Sequence, residues 1–303
     1  MNEAMELAGL VAAIGRENRL QGPFLEASVA GMLPDERAEL DAYLRFCTTQ
    51  GIDLEYLARS YNTIVMDTLR EQVFFQRHDR YRHGTYADVA GSVYQNDDYM
   101  RRYMYGLALT TYLWPNHREM RRFFLEQLPR ERTGTYLEIG PGHGMFFLAA
   151  LRMSRFTRFE GIDISPTSCA MTEAIVASGQ FGRHGDYAIR CRDFLAADDE
   201  PASCAAVVMG EVLEHVETPL AFLRKIRSLV APGGFVFVTT AINAPAVDHI
   251  WLFRSPAEVT AMAAEAGLQV TAQLVVPYSG MSLEESLRTR MPVNIALAMS
   301  RAG

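Results

Sequence analysis

The hydrophobic pattern changes its period near residue 130. Upstream, apolar side chains recur three and four positions apart, the spacing that gathers them on one face of a helix. Pro34-Asp35-Glu36 opens one such helix, with Leu40, Tyr43, Leu44, Phe46 and Cys47 on its buried side and Gly51 at its end. Residues 54–80 read as a long second helix through Leu57, Tyr61, Ile64, Val65, Thr68, Leu69 and Val73. A third is predicted over 99–114, stopped by Pro115, and a fourth, capped by Asn116-His117, runs through Met120, Phe123, Phe124 and Leu128. Residues 1–129 are therefore expected to form a helical domain that serves as a cap or as a dimerisation surface.

Downstream, the apolar positions come in short continuous runs, the pattern of strands buried on both faces of a parallel sheet. Residues 136–139, 158–164, 187–195, 205–210 and 235–240 read as strands of this kind. Residues 268–276 and 294–300 read as an antiparallel pair closing the sheet, so the expectation for 130–303 is an α/β domain.

With 303 residues, 49% of them hydrophobic, the chain can bury a sizeable core. A formal net charge of −7 argues against a surface built to neutralise phosphate backbones, so nucleic acid is not the expected partner. Cys47, Cys169, Cys191 and Cys204 lack the paired spacing of a zinc or redox site and read as reduced thiols in a cytoplasmic protein. The start mixes Glu3, Glu6, Arg16 and Glu17 into its apolar residues, and no run of about 18 apolar residues occurs, so neither a signal peptide nor a membrane span is expected.

Chemistry is concentrated at Tyr136-Leu137-Glu138-Ile139-Gly140-Pro141-Gly142-His143-Gly144, an apolar strand running into alternating glycines behind an acid. Glycines there let the backbone turn sharply and approach a ligand, and the amides opening the next helix face the same space. The dinucleotide fingerprint wants a glycine where Met145 stands, which weakens a nicotinamide reading. Asp163 ends the next strand, where a carboxylate can accept from both hydroxyls of a ribose. Asp193-Phe194 ends the third, the fourth leads into Glu211, and Pro232-Gly233-Gly234 precedes the fifth.

In order and spacing these elements resemble the class I methyltransferases that use S-adenosylmethionine, over about residues 130–301. The resemblance implies a Rossmann-like, seven-stranded sheet and S-adenosyl-L-methionine as cofactor. It implies cofactor contacts from Glu138, Gly140, Gly142, Gly144, Asp163, Ile164, Asp193, Phe194 and Glu211. Asp163 would take the ribose, Asp193 would accept from the adenine amino group, and an apolar or aromatic neighbour would pack on the base.

Methyl transfer from a sulfonium needs the acceptor aligned, desolvated and relieved of its proton. Glu211, Glu214 and His215 stand at i, i+3 and i+4, which on one helical turn would share a face and suit a hard cation or a base with an orienting acid. The segment resembles the Glu-x-x-Glu-His of the ubiquinone-pathway O-methyltransferases and the small-RNA 2′-O-methyltransferases. That resemblance implies a divalent ion (Mg, Mn, Fe or Zn) on Glu211, Glu214, His215 and, after the fifth strand, His249. A metal-free base at His215 or His249 with Glu214 beside it, and a purely structural role, stand as the other readings. His143 is expected to face solvent, and His78, His83, His117 and His184 to be surface or packing residues. The tyrosines at 94, 99, 103, 105 and 112, with Trp114, suit either an acceptor pocket or ordinary core packing.

The function expected is methylation of a small molecule, on oxygen, in a biosynthetic, natural-product-like pathway. The alternatives are C- or N-methylation, small-RNA 2′-O-methylation, disfavoured by the acidic charge, and a non-catalytic cofactor-binding protein. A homodimer through the N-terminal helices is the candidate assembly.

Overall fold

A computed structural model describes residues 3–182, 185–196 and 201–302; His184 lies outside the described residues. The N-terminal part is helical: α1 (Glu3–Glu17), α2 (Gln21–Ala30), α3 (Pro34–Thr49), α4 (Leu54–His78), α5 (Tyr86–Val89) running on into a π-turn (Ala90–Tyr94), α6 (Asp97–Leu113) and α7 (Pro115–Gln127). Side-chain caps fix several starts: Asp53 accepts from the Tyr56 amide, Thr85 from Asp88, and Asn96 from Tyr99. α1 and α2 were not expected from the sequence. The cap expected at Asn116-His117 is also corrected, because α7 begins at Pro115, whose missing N–H costs nothing in a first turn. Asn116 instead donates from Nδ2 to Asn294 Oδ1 at 2.8 Å, tying the helix to the sheet.

Beyond α7 come β1 (Thr135–Ile139), α8 (Met145–Met153), β2 (Arg158–Asp163), α9 (Pro166–Ala177), β3 (Tyr187–Cys191) and β4 (Cys204–Gly210). A 3-10 turn (Leu213–His215) leads to α10 (Pro219–Leu229), β5 (Val230–Ile242), α11 (Pro256–Glu265), β6 (Leu268–Val276), α12 (Leu283–Arg288) and β7 (Val293–Arg301). The strands form a 7-stranded sheet in the order β3-β2-β1-β4-β5-β7-β6. β7 runs antiparallel to both β5 and β6, the closing pair read from the sequence.

Alternation along the strands builds two layers of core. Tyr136, Val208 and Phe237 face one side, where they join Phe147 of α8 and Phe124 of α7. Leu137, Ile139, Val207 and Val236 face the other, against Leu223 and Ile226 of α10 and Val259 of α11. The first of these cores continues without a break into Leu10, Leu44, Tyr61 and Tyr112 of the N-terminal helices. Among the described residues, no helix is long and apolar enough to cross a membrane.

Candidate active site

The strand order reverses between β1 and β4, and open α/β sheets bind ligands in the crevice outside the carboxyl ends at such a point. The turn after β1 lies there. Gly140, Gly142 and Gly144 all take left-handed φ values, 67°, 55° and 81°, which explains why glycine occupies alternate positions. At Gly140 space is also closed: a Cβ would lie 2.6 Å from Val212 Cγ2, in the turn that follows β4.

Asp163, at the tip of β2, braces this turn. Its Oδ2 accepts from the Gly142 amide at 3.1 Å and its Oδ1 from Ser165 at 2.9 Å. Burial lifts this carboxyl to about 6 against the pull of those amides. Each oxygen keeps a second lone pair for a ligand hydroxyl. Next to it Ile164 exposes 46% of its surface, a large apolar side chain presented beside the ribose candidate. Asp193 is exposed and accepts from the Leu195 amide at 2.8 Å. The structure places Phe194 in the core, 5.4 Å from the ring of Phe222 and with Lys225 Nζ 4.7 Å from its centroid. Glu138 is buried below the turn, accepting from Tyr136 Oη at 2.5 Å; burial, only partly offset by that bond and by the Phe147 amide, raises it to about 8.

The cofactor side has a cover that the sequence reading did not single out. Tyr86 stacks on Tyr94 at 5.4 Å, and besides burial the charges of Asp163 and Asp193 raise its phenol, which places it beside both acids. The Tyr86 amide donates to Glu217 Oε1 at 2.8 Å, fastening the cover across the site.

On the far side of the crevice, the helical turn expected at Glu211, Glu214 and His215 does not form. Glu211 is left-handed, with φ 51°, its amide donating to the carbonyl and hydroxyl oxygens of Thr239 at 3.1 and 3.0 Å, and the tight turn starts only at Leu213. Tertiary contact assembles the cluster instead. The amides of Ile250 and Trp251 donate to the Glu214 carbonyl at 2.8 and 2.9 Å, bringing the segment after β5 onto the turn after β4. One ligand atom from each of Glu214, His215 and His249 then lies within 4.8 Å of the others. Glu211 is not in that set; its carboxyl is pushed well above the usual range by burial and by the nearby Glu214.

Glu214 is fully buried. Thr240 Oγ1 donates to its Oε2 at 2.6 Å, and the neighbouring Glu211 carboxyl shares a hydrogen bond with the same carboxylate. The two imidazoles meet edge to face, with centroids 4.6 Å apart. His249 Nδ1 donates to the Ala244 carbonyl at 2.6 Å, which leaves Nε2 with a lone pair. His215 Nδ1 lies 3.1 Å from the Asp248 carbonyl and 3.3 Å from its Oδ2, so it too carries its proton at Nδ1. Burial pulls His215 down, but Asp248 and Glu214 outweigh it and raise the ring to about 9. Burial and the charge of His215 lower His249. Asp248 is held well below the usual carboxylate range, the two histidines and Tyr103 outweighing its burial.

Asp248 is the functional residue that sequence reasoning missed; its signal was its place before His249 in an Asp-His pair. The tyrosine stripe divides in the same way. Tyr94 and Tyr103 direct their hydroxyls to Asp248, at 3.2 and 3.1 Å, Tyr99 donates to Asp67 at 2.6 Å, and Tyr105 and Tyr112 pack in the core. The expectation that His143 faces solvent is corrected. It lines a cavity of about 390 Å³ with Tyr43, Asp97, Arg101 and Met171, and burial lowers it to about 4. His117 packs on Trp114, and His78 on Phe74.

A family profile described as a methyltransferase domain matches residues 114–289. The ubiquinone biosynthesis O-methyltransferase of Xanthomonas euvesicatoria pv. vesicatoria is 29% identical over 177 residues, covering 52% of this chain and 72% of the relative. The enzyme of the same name from Xanthomonas campestris pv. campestris (strain B100) is 35% identical over 112 residues, 36% of this chain and 44% of the relative, so the chain spans less than half of that protein. Among solved structures, the methyltransferase bound to the Haloferax volcanii Trm112 activator superposes with a TM-score of 0.53 at 17% identity, over 69% of this chain and 97% of that one. Phosphoethanolamine N-methyltransferase 2 of Haemonchus contortus, solved with S-adenosyl-L-methionine, gives 0.53 at 14% identity, over 72% and 60%. At such identities the likeness is one of fold.

Proposed function

The chain belongs to the methyltransferase-domain family, S-adenosylmethionine-dependent enzymes of class I fold, and from that premise we propose that it methylates an oxygen of a small molecule held at Glu214, His215 and His249. S-adenosylmethionine would be held at the carboxyl ends of β1, β2, β3 and β4. The glycine turn approaches it closely, Asp163 takes the ribose hydroxyls, Ile164 lies against the base, and Asp193 accepts from the adenine amino group. The acceptor hydroxyl attacks the methyl carbon in line, the C–S bond breaks as the C–O bond forms, and the hydroxyl proton leaves to a basic group of the cluster. His249 supplies that group, because its Nδ1 is tied to a carbonyl and burial with the charge of His215 keeps Nε2 unprotonated.

The observation that carries this reading is the meeting of the fully buried Glu214 carboxylate with two imidazoles whose Nδ1 atoms are both engaged elsewhere. An oxygen and two ring nitrogens within 4.8 Å of one another also fit a divalent cation, whose binding would displace the second proton that the acids beside His215 otherwise hold on its ring. Glu214, His215 and His249 would hold such an ion, which supplies positive charge that lowers the pKa of an adjacent oxygen. The names of the relatives support oxygen as the acceptor atom.

Exhaustive chelation tests the two forms of the reading. Loss of turnover with intact cofactor binding, restored by Mn²⁺, Mg²⁺, Fe²⁺ or Zn²⁺, supports the cation. Full activity with no metal found by elemental analysis leaves the histidine base, and His249→Ala should then lower the rate by roughly 10²- to 10⁴-fold. If no variant of the cluster changes the rate, the acceptor does not bind there.

A further inference from the structure

The side of each histidine that faces away from the acceptor is braced by tyrosines of the N-terminal part. On one arm, Asp248 accepts from Tyr103 Oη through Oδ1 at 3.1 Å and from Tyr94 Oη through Oδ2 at 3.2 Å, and the same residue faces His215 Nδ1 with its carbonyl and Oδ2. On the other, the Ala244 amide donates to Tyr81 Oη at 3.2 Å while the Ala244 carbonyl takes the His249 Nδ1 proton. These three tyrosines come from the segment after α4, the π-turn and α6, so the N-terminal part braces from outside the loop after β5, whose carbonyls at Asp248 and Ala244 meet the two rings.

We infer that Tyr81, Tyr94 and Tyr103 are positioning residues that set the orientation of the two acceptor-site histidines, Tyr103 through Asp248, Tyr94 through Asp248 and by its own 3.2 Å contact with His215 Nδ1, and Tyr81 through the Ala244 peptide. The inference rests on the acceptor-site reading above. An imidazole can turn about its Cβ–Cγ bond, and a neutral one can exchange its proton between nitrogens; a braced Nδ1–H removes the first freedom at both rings and the second at His249, and turns the Nε2 edge to the site. Asp248 is buried, with both carboxylate oxygens in use, so it cannot swing to another partner without leaving a tyrosine unpaired. The N-terminal helices thereby belong to the acceptor site through hydroxyl groups as well as through shape.

Tyrosine-to-phenylalanine changes remove the hydroxyl and keep the packing ring. In full-length protein with ¹⁵N-labelled histidine, each braced ring should give a downfield, slowly exchanging Nδ1 proton, assigned with His215→Asn and His249→Asn. Tyr94→Phe combined with Tyr103→Phe should speed exchange of the His215 proton by tenfold or more and leave that of His249, whereas Tyr81→Phe should do the reverse. A purely structural role would loosen both signals together or neither, and either outcome overturns the inference. With a catechol as probe acceptor, kcat should fall about 10- to 100-fold at unchanged cofactor affinity. Absence of any turnover in the wild type would count against the acceptor reading alone, since the exchange measurement needs no acceptor.

Discussion

On the cofactor side of the crevice, the groups proposed to meet the ligand stand at the tips of neighbouring strands and act largely through backbone: left-handed glycines after β1, and an acid after β2 that holds a glycine amide. On the acceptor side the groups are side chains from the turn after β4, the segment after β5, and the helices before β1, joined only in the folded chain. The cofactor half therefore depends on a few local positions, the glycines of the turn and Asp163. The acceptor half depends on how distant segments pack.

The largest effect expected from that contrast comes from removing the N-terminal helices. A chain beginning at Arg130 would strip Phe124 from Phe237 and Phe146, and Tyr112 from the core it shares with Phe147. The uncovered apolar face should make the fragment aggregate. A soluble, monomeric and fully active fragment, by sedimentation and assay, would show that the helices are a separable module.

Gly140→Ala should come next, because it offends both halves at once. A left-handed φ costs a side chain about 1–2 kcal/mol, and pressing a Cβ onto Val212 roughly 1–3 more. Calorimetry should show S-adenosylmethionine affinity reduced by that sum, and unchanged affinity would mean that the turn is not where the cofactor lies. Asp163→Ala should be milder, about 1–3 kcal/mol in cofactor binding, since hydroxyls and the Gly142 amide lose an acceptor while the glycine turn keeps its own conformation. If His249→Ala weakened cofactor binding as much as Asp163→Ala, the division of the site into two halves would be wrong.

The same division explains what was legible. The strands, the glycine turn and the acids at strand tips lie in contiguous motifs whose physics is local, so they could be read directly, and the resemblance those motifs carry supplied the sheet and the cofactor candidates. The pairing of Glu214 and His215 with His249 came from the family resemblance, while the spacing of Glu211, Glu214 and His215 was read for a helical geometry that does not occur. Glu211 was placed on a helical face, whereas the Thr239 carbonyl and hydroxyl draw its amide into a left-handed turn. Asp248 and the tyrosines were illegible as a set, because one stripe holds both Tyr103, which serves the site, and Tyr112, which serves the core. Only the fold distinguishes a hydroxyl that meets a carboxylate from one that does not.

A prediction of a different kind concerns Glu138, which is buried on β1 just before the cofactor turn. Burial raises its carboxyl to about 8 in the folded chain, against 4.5 for an ordinary glutamate, so folding retains a proton that the unfolded chain releases. The sign follows from linkage: this group's contribution to stability is fully present below about pH 4.5 and is lost as pH rises through about 8. Glu138→Gln keeps the shape and cannot ionise. Its unfolding temperature, measured without cofactor, should gain on the wild type steadily between about pH 5 and pH 8. Any fixed cost of orienting the amide toward Tyr136 and Phe147 shifts that difference by a constant and leaves its slope alone. A difference that stays flat across the range would mean that Glu138 is already ionised in the folded chain, and the backbone turn would then sit above a buried charge.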